Sequence, residues 1–220
     1  MTSPLTPDEL VERARGLADA AEREGGRRIL GIAGPPGAGK STLAAHLTAA
    51  LGPRAALVPM DGHHLADAVL RAHGSLGRKG APDTFDAHGY AALLHRLRTP
   101  HPGETVYAPA FDREVEQPVA GSLPVSPGTP LIVTEGNYLL LDEEPWPMLR
   151  PLLDEVWWVE LPDAERVRRL IARHERFGKP PGEARGFVLR SDEANARRVA
   201  PGRQLADLVV EFEPGPAPAP

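Results

Sequence analysis

Short apolar runs alternate with helical patterns along most of this chain, and the alternation predicts its elements. Apolar runs at 29–33, 55–60, 131–135, 155–161 and 208–212 have the length and composition of buried strands. Apolar residues at helical spacing predict helices over 41–51, 65–72, 87–97, 163–177 and 186–199. A first helix should begin at Thr6-Pro7-Asp8-Glu9, a capping box with proline at the first helical position, and end near Gly25.

Two stretches depart from this alternation. Prolines recur between 99 and 130, where extended pieces near 105–107 and 115–119 predict a hairpin-like excursion. Residues 74–86 read as a polar loop. We expect one domain over 1–213, with a small lobe at about 62–130 and a helical lid at about 163–185. The proline- and alanine-rich tail at 214–220 is predicted to be disordered.

Strands that alternate with helices predict an α/β sandwich with a mainly parallel five-stranded sheet covered on both faces. In such folds ligands bind beyond the carboxyl ends of the strands. The polar residues that follow the strands at 29–33, 55–60 and 131–135 are therefore expected to meet in one cleft.

Composition narrows the classes of protein. A net charge of −5 disfavours non-specific binding to nucleic acid or to a membrane surface, and a chain without cysteine excludes disulfides and thiolate sites. No apolar run is long enough for a membrane span, and the N-terminus is unlike a signal peptide. We expect a cytoplasmic protein without nucleic-acid or membrane partners, and a homo-oligomer stays open.

A phosphate-binding loop follows the first strand. The run from Gly34 to Ser41 contains the complete pattern Gly-x-x-x-x-Gly-Lys-Ser between an apolar strand and a helix. The alternative is a glycine-rich turn that binds nothing, but the pattern and both flanks favour phosphate binding. The predicted nucleotide-binding residues are Gly34, Pro35, Pro36, Gly37, Ala38, Gly39, Lys40, Ser41 and Thr42. Lys40 should reach the outer phosphates, and Ser41 should offer its hydroxyl to Mg²⁺.

Carboxylates follow two further strands. Asp61 is the best candidate for a base that takes the proton of a substrate hydroxyl. The alternative is a loop aspartate that caps a turn before Gly62. Glu135 could hold Mg²⁺ directly or through water, and otherwise it is a solvated carboxylate at a strand end.

Four arginines share about 80° of one helix face, because their spacing is i, i+3, i+7 and i+10. They are Arg166, Arg169, Arg173 and Arg176. No acidic residue is interleaved on that arc, which favours an anion-binding lid over a solvated face. Arg173 and Arg176 lie nearest the loop at 178–180 and are the preferred pair.

Two aromatic or imidazole pairs have competing interpretations. His63 and His64 are adjacent but lack identified co-ligands, so substrate contact or packing is favoured over a transition-metal site. Trp157 and Trp158 lie on a strand expected to be buried, which favours core packing over a stacking platform.

The motifs resemble those of the P-loop kinases of small metabolites, which include uridine kinase, phosphoribulokinase and type I pantothenate kinase. The likeness spans nearly the whole chain and looks greatest to a bacterial subgroup described as nucleoside/nucleotide kinase-like or as sugar-transport-associated kinases. It is carried by 34–41, 60–64, 78–86, 111–113, 135–140 and 169–173. The resemblance implies a P-loop NTPase three-layer sandwich that uses ATP and Mg²⁺.

The resemblance also implies roles for particular residues. Asp61 matches the catalytic aspartate, Glu135 the metal-associated carboxylate, and Arg169 and Arg173 the lid arginines, so Asp61, Lys40, Arg173 and Arg169 form the implied catalytic set. The implied lining of the acceptor pocket is His64, Arg78, Lys79, Asp83, Phe85, Tyr107, Phe111, Arg113 and Tyr138. One position departs from the pattern. The residue after Asp61-Gly62 is usually aromatic in these relatives and is His63 here, which leaves the polarity of the pocket open.

We therefore expect an ATP-dependent kinase that transfers the γ-phosphate to a hydroxyl of a nucleoside, a sugar or a pantothenate-like alcohol. A nucleotide-switch protein is one rival, but the chain lacks an Asn/Thr-Lys-x-Asp run for guanine recognition. A partner-coupled ATPase is another, but no extra domain or basic patch for a partner is evident.

Overall fold

Strands and helices alternate along the computed structural model, which describes residues 5–212. The strands are β1 (Arg28–Ala33), β2 (Ala55–Leu57), β3 (Val106–Asp112), β4 (Gln117–Val125), β5 (Leu131–Glu135), β6 (Glu155–Glu160) and β7 (Leu208–Glu211). The helices are α1 (Pro7–Glu24), α2 (Lys40–Leu51), α3 (Asp67–Ala72), α4 (Ala87–Arg98), α5 (Asp163–Arg176), α6 (Pro181–Phe187) and α7 (Glu193–Val199). The predicted tail at 214–220 lies outside the described residues.

A five-stranded sheet organises the described part of the chain. Its order is β2-β5-β1-β6-β7, and every neighbouring pair is parallel. Successive residues of β1 face opposite layers: Ile29 packs with α4 and the 3₁₀ helix Trp146–Leu152, and Leu30 packs with α1 and α2. The expected α/β sandwich with a parallel sheet covered on both faces is confirmed.

Several smaller features predicted from the sequence are also present. Strands β3 and β4 form the expected antiparallel hairpin outside the main sheet. Thr6 and Glu9 form both halves of the capping box of α1, and Gly25 ends that helix in the left-handed conformation. Trp157 and Trp158 are both buried, which confirms core packing. No helix of residues 5–212 combines the length and the apolar character needed to cross a bilayer.

Two predicted elements need correction. The strand expected over 55–60 as buried spans only Ala55–Leu57 and is half-buried, because β2 lies at the sheet edge with β5 as its neighbour. The helix expected over 186–199 is three pieces, since α6 begins at Pro181 and a π-helical turn, Val188–Asp192, separates it from α7.

The strand order brings three strand ends together. Strands β2, β5 and β1 are adjacent, and the chain leaves them toward Asp61, Gly136 and the loop 34–39 respectively. Because parallel strands end at the same edge, these segments share one side of the sheet.

Candidate active site

The loop between β1 and α2 is shaped by glycines in the left-handed region. Gly34 has φ 147°, and a Cβ there would stand 2.7 Å from the carbonyl oxygen of Val159. Gly37 has φ 79°, and a Cβ there would stand 2.7 Å from Cγ of Leu170. Side chains are thus excluded where the loop turns into the N-terminus of a twelve-residue helix. Helix N-termini with exposed N–H groups bind anions, and this loop fits the phosphates of a nucleotide.

Lys40 is a buried cation beside that loop. It is 7% exposed, and its Nζ donates to the carbonyl oxygen of Pro35 at 2.9 Å. Burial lowers the pKa of Lys40 to about 8, although the charges of Glu135 and Asp61 oppose the change. A buried ammonium group with one hydrogen bond is strongly stabilised when an anion binds beside it.

Ser41 and Glu135 meet at the adjacent strand end. The Ser41 hydroxyl donates to Oε1 of Glu135 at 2.9 Å, and Glu135 is 7% exposed. Burial and the nearby Asp61 raise the pKa of Glu135, while Lys40 and Ser41 act in the opposite direction. The interpretation of Glu135 as a solvated carboxylate does not fit this burial. A hydroxyl and a carboxylate beside a phosphate loop are the hard oxygen ligands that Mg²⁺ prefers, so the residues fit that ion.

Asp61 lies in the 3₁₀ turn Met60–His63 beyond β2. Its Oδ2 accepts a hydrogen bond from Nη2 of Arg113 at 2.8 Å, across 52 positions of sequence. Asp61 keeps 28% of its side-chain surface exposed and lines the cleft. Its carboxylate therefore faces the cleft instead of capping the turn.

Aromatic rings form the wall next to Asp61. The ring of His64 lies 4.0 Å from Phe85 and 4.7 Å from Phe111, measured between centroids. Nδ1 of His64 is 2.8 Å from the carbonyl oxygen of Asp61, and burial lowers the pKa of His64, which favours the neutral ring. Lys79 and Arg113 both lie 5.2 Å from the centroid of Phe111.

Other residues expected in the acceptor pocket lie outside it. Arg78 and Asp83 form an ion pair with each other on the surface. Tyr107 is 59% exposed on β3 and does not line the cleft. Tyr138 is fully buried, and its hydroxyl donates to the carbonyl oxygen of Gly80. Tyr138 therefore supports a lining segment from behind.

His63 points away from this pocket. Its ring packs 5.1 Å from that of Tyr90, and burial lowers its pKa. Its Nε2 is buried without a hydrogen-bond partner among the described residues. The ring of His63 therefore packs inside the fold and does not contact the cleft.

The four arginines on one face of α5 lie in different environments. Arg166 is 1% exposed and donates to the Pro36 carbonyl oxygen at 3.2 Å, to Asp163 at 3.0 Å and to Glu193. Arg169 pairs with Glu165 at 2.6 Å. Two of the four arginines thus have acidic partners, Asp163 and Glu165 from the first turn of the same helix, although no acid is interleaved among the arginines.

Arg173 is the member of this face that lines the cleft, and Arg176 does not. Burial and the neighbouring Arg113 lower the pKa of the Arg173 guanidinium, against the influence of Asp192, Asp61 and Glu135. No carboxylate of residues 5–212 comes within ion-pair distance of Arg173. Its charge therefore faces the cleft that Asp61 and Glu135 also line.

Together these groups surround a cleft of about 370 Å³. The cleft also includes Gly80, Gly136 and Asn137 from the motifs at 78–86 and 135–140, and residues outside the predicted motifs: Leu76, Glu116, His174, Phe177, Lys179, Phe187, Asp192 and Asn195. His174 Nε2 lies 3.0 Å from Oδ2 of Asp192, which joins α5 to the π-helical turn. Asn195 stands among many other polar residues at 190–198, so no sequence signal marked this part of the wall.

Known kinases are similar to this chain in sequence and in fold, although no family model matches the chain. An ATP-dependent kinase-like protein of Aspergillus versicolor is 39% identical over 165 residues, covering 71% of this chain and 94% of that protein. A protein of Schizosaccharomyces pombe named as a uridine kinase is 34% identical over 215 residues, covering 93% of this chain and 89% of its own. The crystal structure of a Silicibacter sp. TM1040 protein assigned as a fructose transport system kinase superposes with a TM-score of 0.76 at 38% identity, covering 88% of this chain and 98% of that one.

Proposed function

Since this chain belongs to the P-loop kinases of small metabolites, we propose the following roles for its residues in phosphoryl transfer from ATP. The reaction is the transfer of the γ-phosphate to a hydroxyl group of a small metabolite. The observation that carries the assignment of roles is the convergence of Lys40, Ser41, Glu135, Asp61 and Arg173 on one cleft.

The phosphate end of the cleft binds the nucleotide. The backbone N–H groups of the loop 34–39 and of the first turn of α2 hold the phosphate oxygens, and Lys40 exchanges the Pro35 carbonyl oxygen for phosphate. Ser41 and Glu135 hold Mg²⁺, directly or through water. That ion, when bound, neutralises charge on the β- and γ-phosphates.

Asp61 is the base. It takes the proton of the acceptor hydroxyl as the hydroxyl oxygen bonds to the γ-phosphorus and the bond to the bridging oxygen of ADP breaks. Its position at the strand end next to that of Glu135 supports an acceptor site in the same cleft as the phosphate loop. To do so, Asp61 must have an oxygen free of the Arg113 hydrogen bond.

Arg173 stabilises the transferring group from the lid formed by α5 and the loop that follows it. Its guanidinium faces the cleft without a carboxylate partner in the described chain, so it can bond to the equatorial phosphate oxygens. Arg169 stays a predicted second lid arginine, and it would have to leave Glu165 to act.

The acceptor side is lined by His64, Phe85, Phe111, Lys79 and Arg113. The candidate acceptors are a nucleoside, a sugar or a pantothenate-like alcohol. A mixed wall of rings and cations suits a compact polar molecule with one hydroxyl near Asp61.

The test is ADP release from ATP and Mg²⁺ with a panel of such alcohols, using wild type, Asp61→Asn and Asp83→Asn. Asn keeps the shape of Asp61 and removes the proton acceptor, so we expect a 10²- to 10⁴-fold loss of transfer with unchanged ATP affinity in calorimetry. Asp83 pairs with Arg78 outside the cleft, so Asp83→Asn is the matched control and should retain the rate. An Asp61→Asn protein as fast as wild type would place the base elsewhere.

A further inference from the structure

A hydrogen bond from Arg113 engages one carboxylate oxygen of Asp61, the proposed base. Nη2 of Arg113 donates to Oδ2 of Asp61 at 2.8 Å, and among residues 5–212 Asp61 is the carboxylate that lies within ion-pair distance of Arg113. Oδ1 of Asp61 is free of this bond, but at Oδ2 the guanidinium competes with an acceptor hydroxyl for the oxygen lone pairs. An acceptor that draws Arg113 away therefore has both carboxylate oxygens available.

Arg113 is placed to move without disturbing the fold. It follows β3 at the tip of the hairpin, and 46% of its side-chain surface is exposed. Its guanidinium lies over Phe111, whose ring faces His64 in the acceptor wall. A swing of the side chain would keep Arg113 on this wall.

A second cation strengthens the positive charge of the same wall. Nζ of Lys79 lies 5.2 Å from the Phe111 centroid, so two cations flank one ring. Lys79 is already bonded to Asp67 at 2.6 Å and to the carbonyl oxygen of Glu116. Two of its three N–H donors are thus engaged, and its charge is paired with Asp67, so Arg113 is the cation better placed to change partner.

We propose, resting on the kinase function above, that the acceptor is an alcohol that carries a carboxylate or a phosphate. Its anionic group takes Arg113 from Asp61, and Asp61 is thereby freed for the acceptor hydroxyl. Among the candidate acceptors, the acidic members are selected over neutral nucleosides and free sugars. Arg113 is then a specificity-determining residue that also makes proton transfer depend on the correct substrate.

The experiment uses pairs of alcohols with and without the anionic group: pantothenate and panthenol, ribose 5-phosphate and ribose, gluconate and glucose, UMP and uridine. Acceptor-dependent ADP release is measured for wild type, Arg113→Gln, Arg113→Lys and the control Arg78→Gln, which alters an arginine outside the cleft. Wild type and Arg78→Gln should use an acidic member at least tenfold better than its neutral partner. Arg113→Gln should lower kcat/KM for the acidic member by about 10- to 100-fold, the usual range for a charge-assisted hydrogen bond, and should raise it for the neutral member, because Arg113 no longer holds Asp61. Arg113→Lys should keep part of the preference.

Calorimetry on the ADP·Mg²⁺ complex separates this proposal from the kinase function. With the phosphate loop filled, an acidic compound should bind to wild type, and Arg113→Gln should bind it at least tenfold more weakly. Absence of ADP release with such binding present would count against the kinase roles and not against the anion site. Equal use of acidic and neutral partners by wild type would overturn the anion proposal. So would an Arg113→Gln protein that loses ATP affinity and keeps its acceptor preference, since Arg113 would then serve the nucleotide.

Discussion

Replacement of Lys40 by Met should stabilise the nucleotide-free protein while it abolishes turnover. Burial lowers the pKa of Lys40 from 10.5 to about 8, and a tenfold change in proton affinity corresponds to about 1.4 kcal/mol. The buried ammonium therefore costs the folded state roughly 3 kcal/mol near neutral pH. Met cannot donate to the Pro35 carbonyl oxygen, which offsets about 1 kcal/mol. The net gain of about 2 kcal/mol should raise Tm by roughly 4–8 °C in a domain of this size.

The difference in stability between Lys40→Met and wild type should decrease as the pH rises. Between pH 8 and 10.5 the unfolded chain keeps the Lys40 proton and the folded chain loses it, so wild-type stability rises with pH relative to Lys40→Met. The advantage of Lys40→Met should thus shrink across this window. Burial raises the pKa of both Tyr90 and Tyr138, which lowers stability in alkali, but the two proteins share that contribution and it cancels in the difference.

Thermal and urea unfolding at pH 7, 8, 9 and 10 measure the effect, with Lys179→Met as control because Lys179 is exposed. Added ATP·Mg²⁺ should reverse the order of stability, since a ligand at about 100 times its Kd stabilises wild type by about 2.7 kcal/mol and the variant binds it poorly. A Lys40→Met protein less stable than wild type, by an amount independent of pH, would refute the reasoning.

Two further substitutions test the roles of the lid and the loop. Arg173→Ala should lower kcat at least tenfold, and the KM for ATP should change little. Arg176→Ala, outside the cleft, should leave both unchanged. An effect confined to the ATP KM would make Arg173 a ground-state binder. Gly34→Ala should destabilise the protein by about 1–3 kcal/mol and weaken ATP binding, because its Cβ would meet Val159 at a φ of 147°. Gly16→Ala, in α1 with nothing near its Cβ, should instead stabilise by about 1 kcal/mol, and equal melting shifts for the two variants would contradict the steric argument.

The sequence predicted features that depend on local pattern. The capping box at Thr6, the phosphate loop and the buried strands each have a period or a motif that acts over a few neighbouring residues. The carboxyl ends of parallel strands lie at one edge of the sheet, which is why Asp61 and Glu135 could be placed in one cleft, although the order β2-β5-β1 was not predicted.

Features set by tertiary packing were missed. The contact of Arg113 with Asp61 depends on how a hairpin folds over a strand end, and spacing in the sequence does not encode it. Tyr138 was expected in the pocket, but it follows a fully buried strand and continues into the core. The π-helical turn Val188–Asp192 changes the number of residues per turn, so a single helical period over 186–199 could not describe that segment.

The buried Arg166 determines which part of the lid is able to move. Its bond to the Pro36 carbonyl oxygen, with Leu170 packed against Gly37, joins the first two turns of α5 to the phosphate loop, and its bond to Glu193 joins them to α7. Rotation of the whole helix would break those bonds, so we expect closure to bend the segment after Leu170. Arg173 lies less than one helical turn, about 5 Å, beyond that fixed point and can shift only slightly, whereas the loop at 178–180 can sweep through a much larger arc. In the proposed mechanism the arginine is therefore close to its working position before any substrate binds, and the proposed motion would serve chiefly to close the cleft to water.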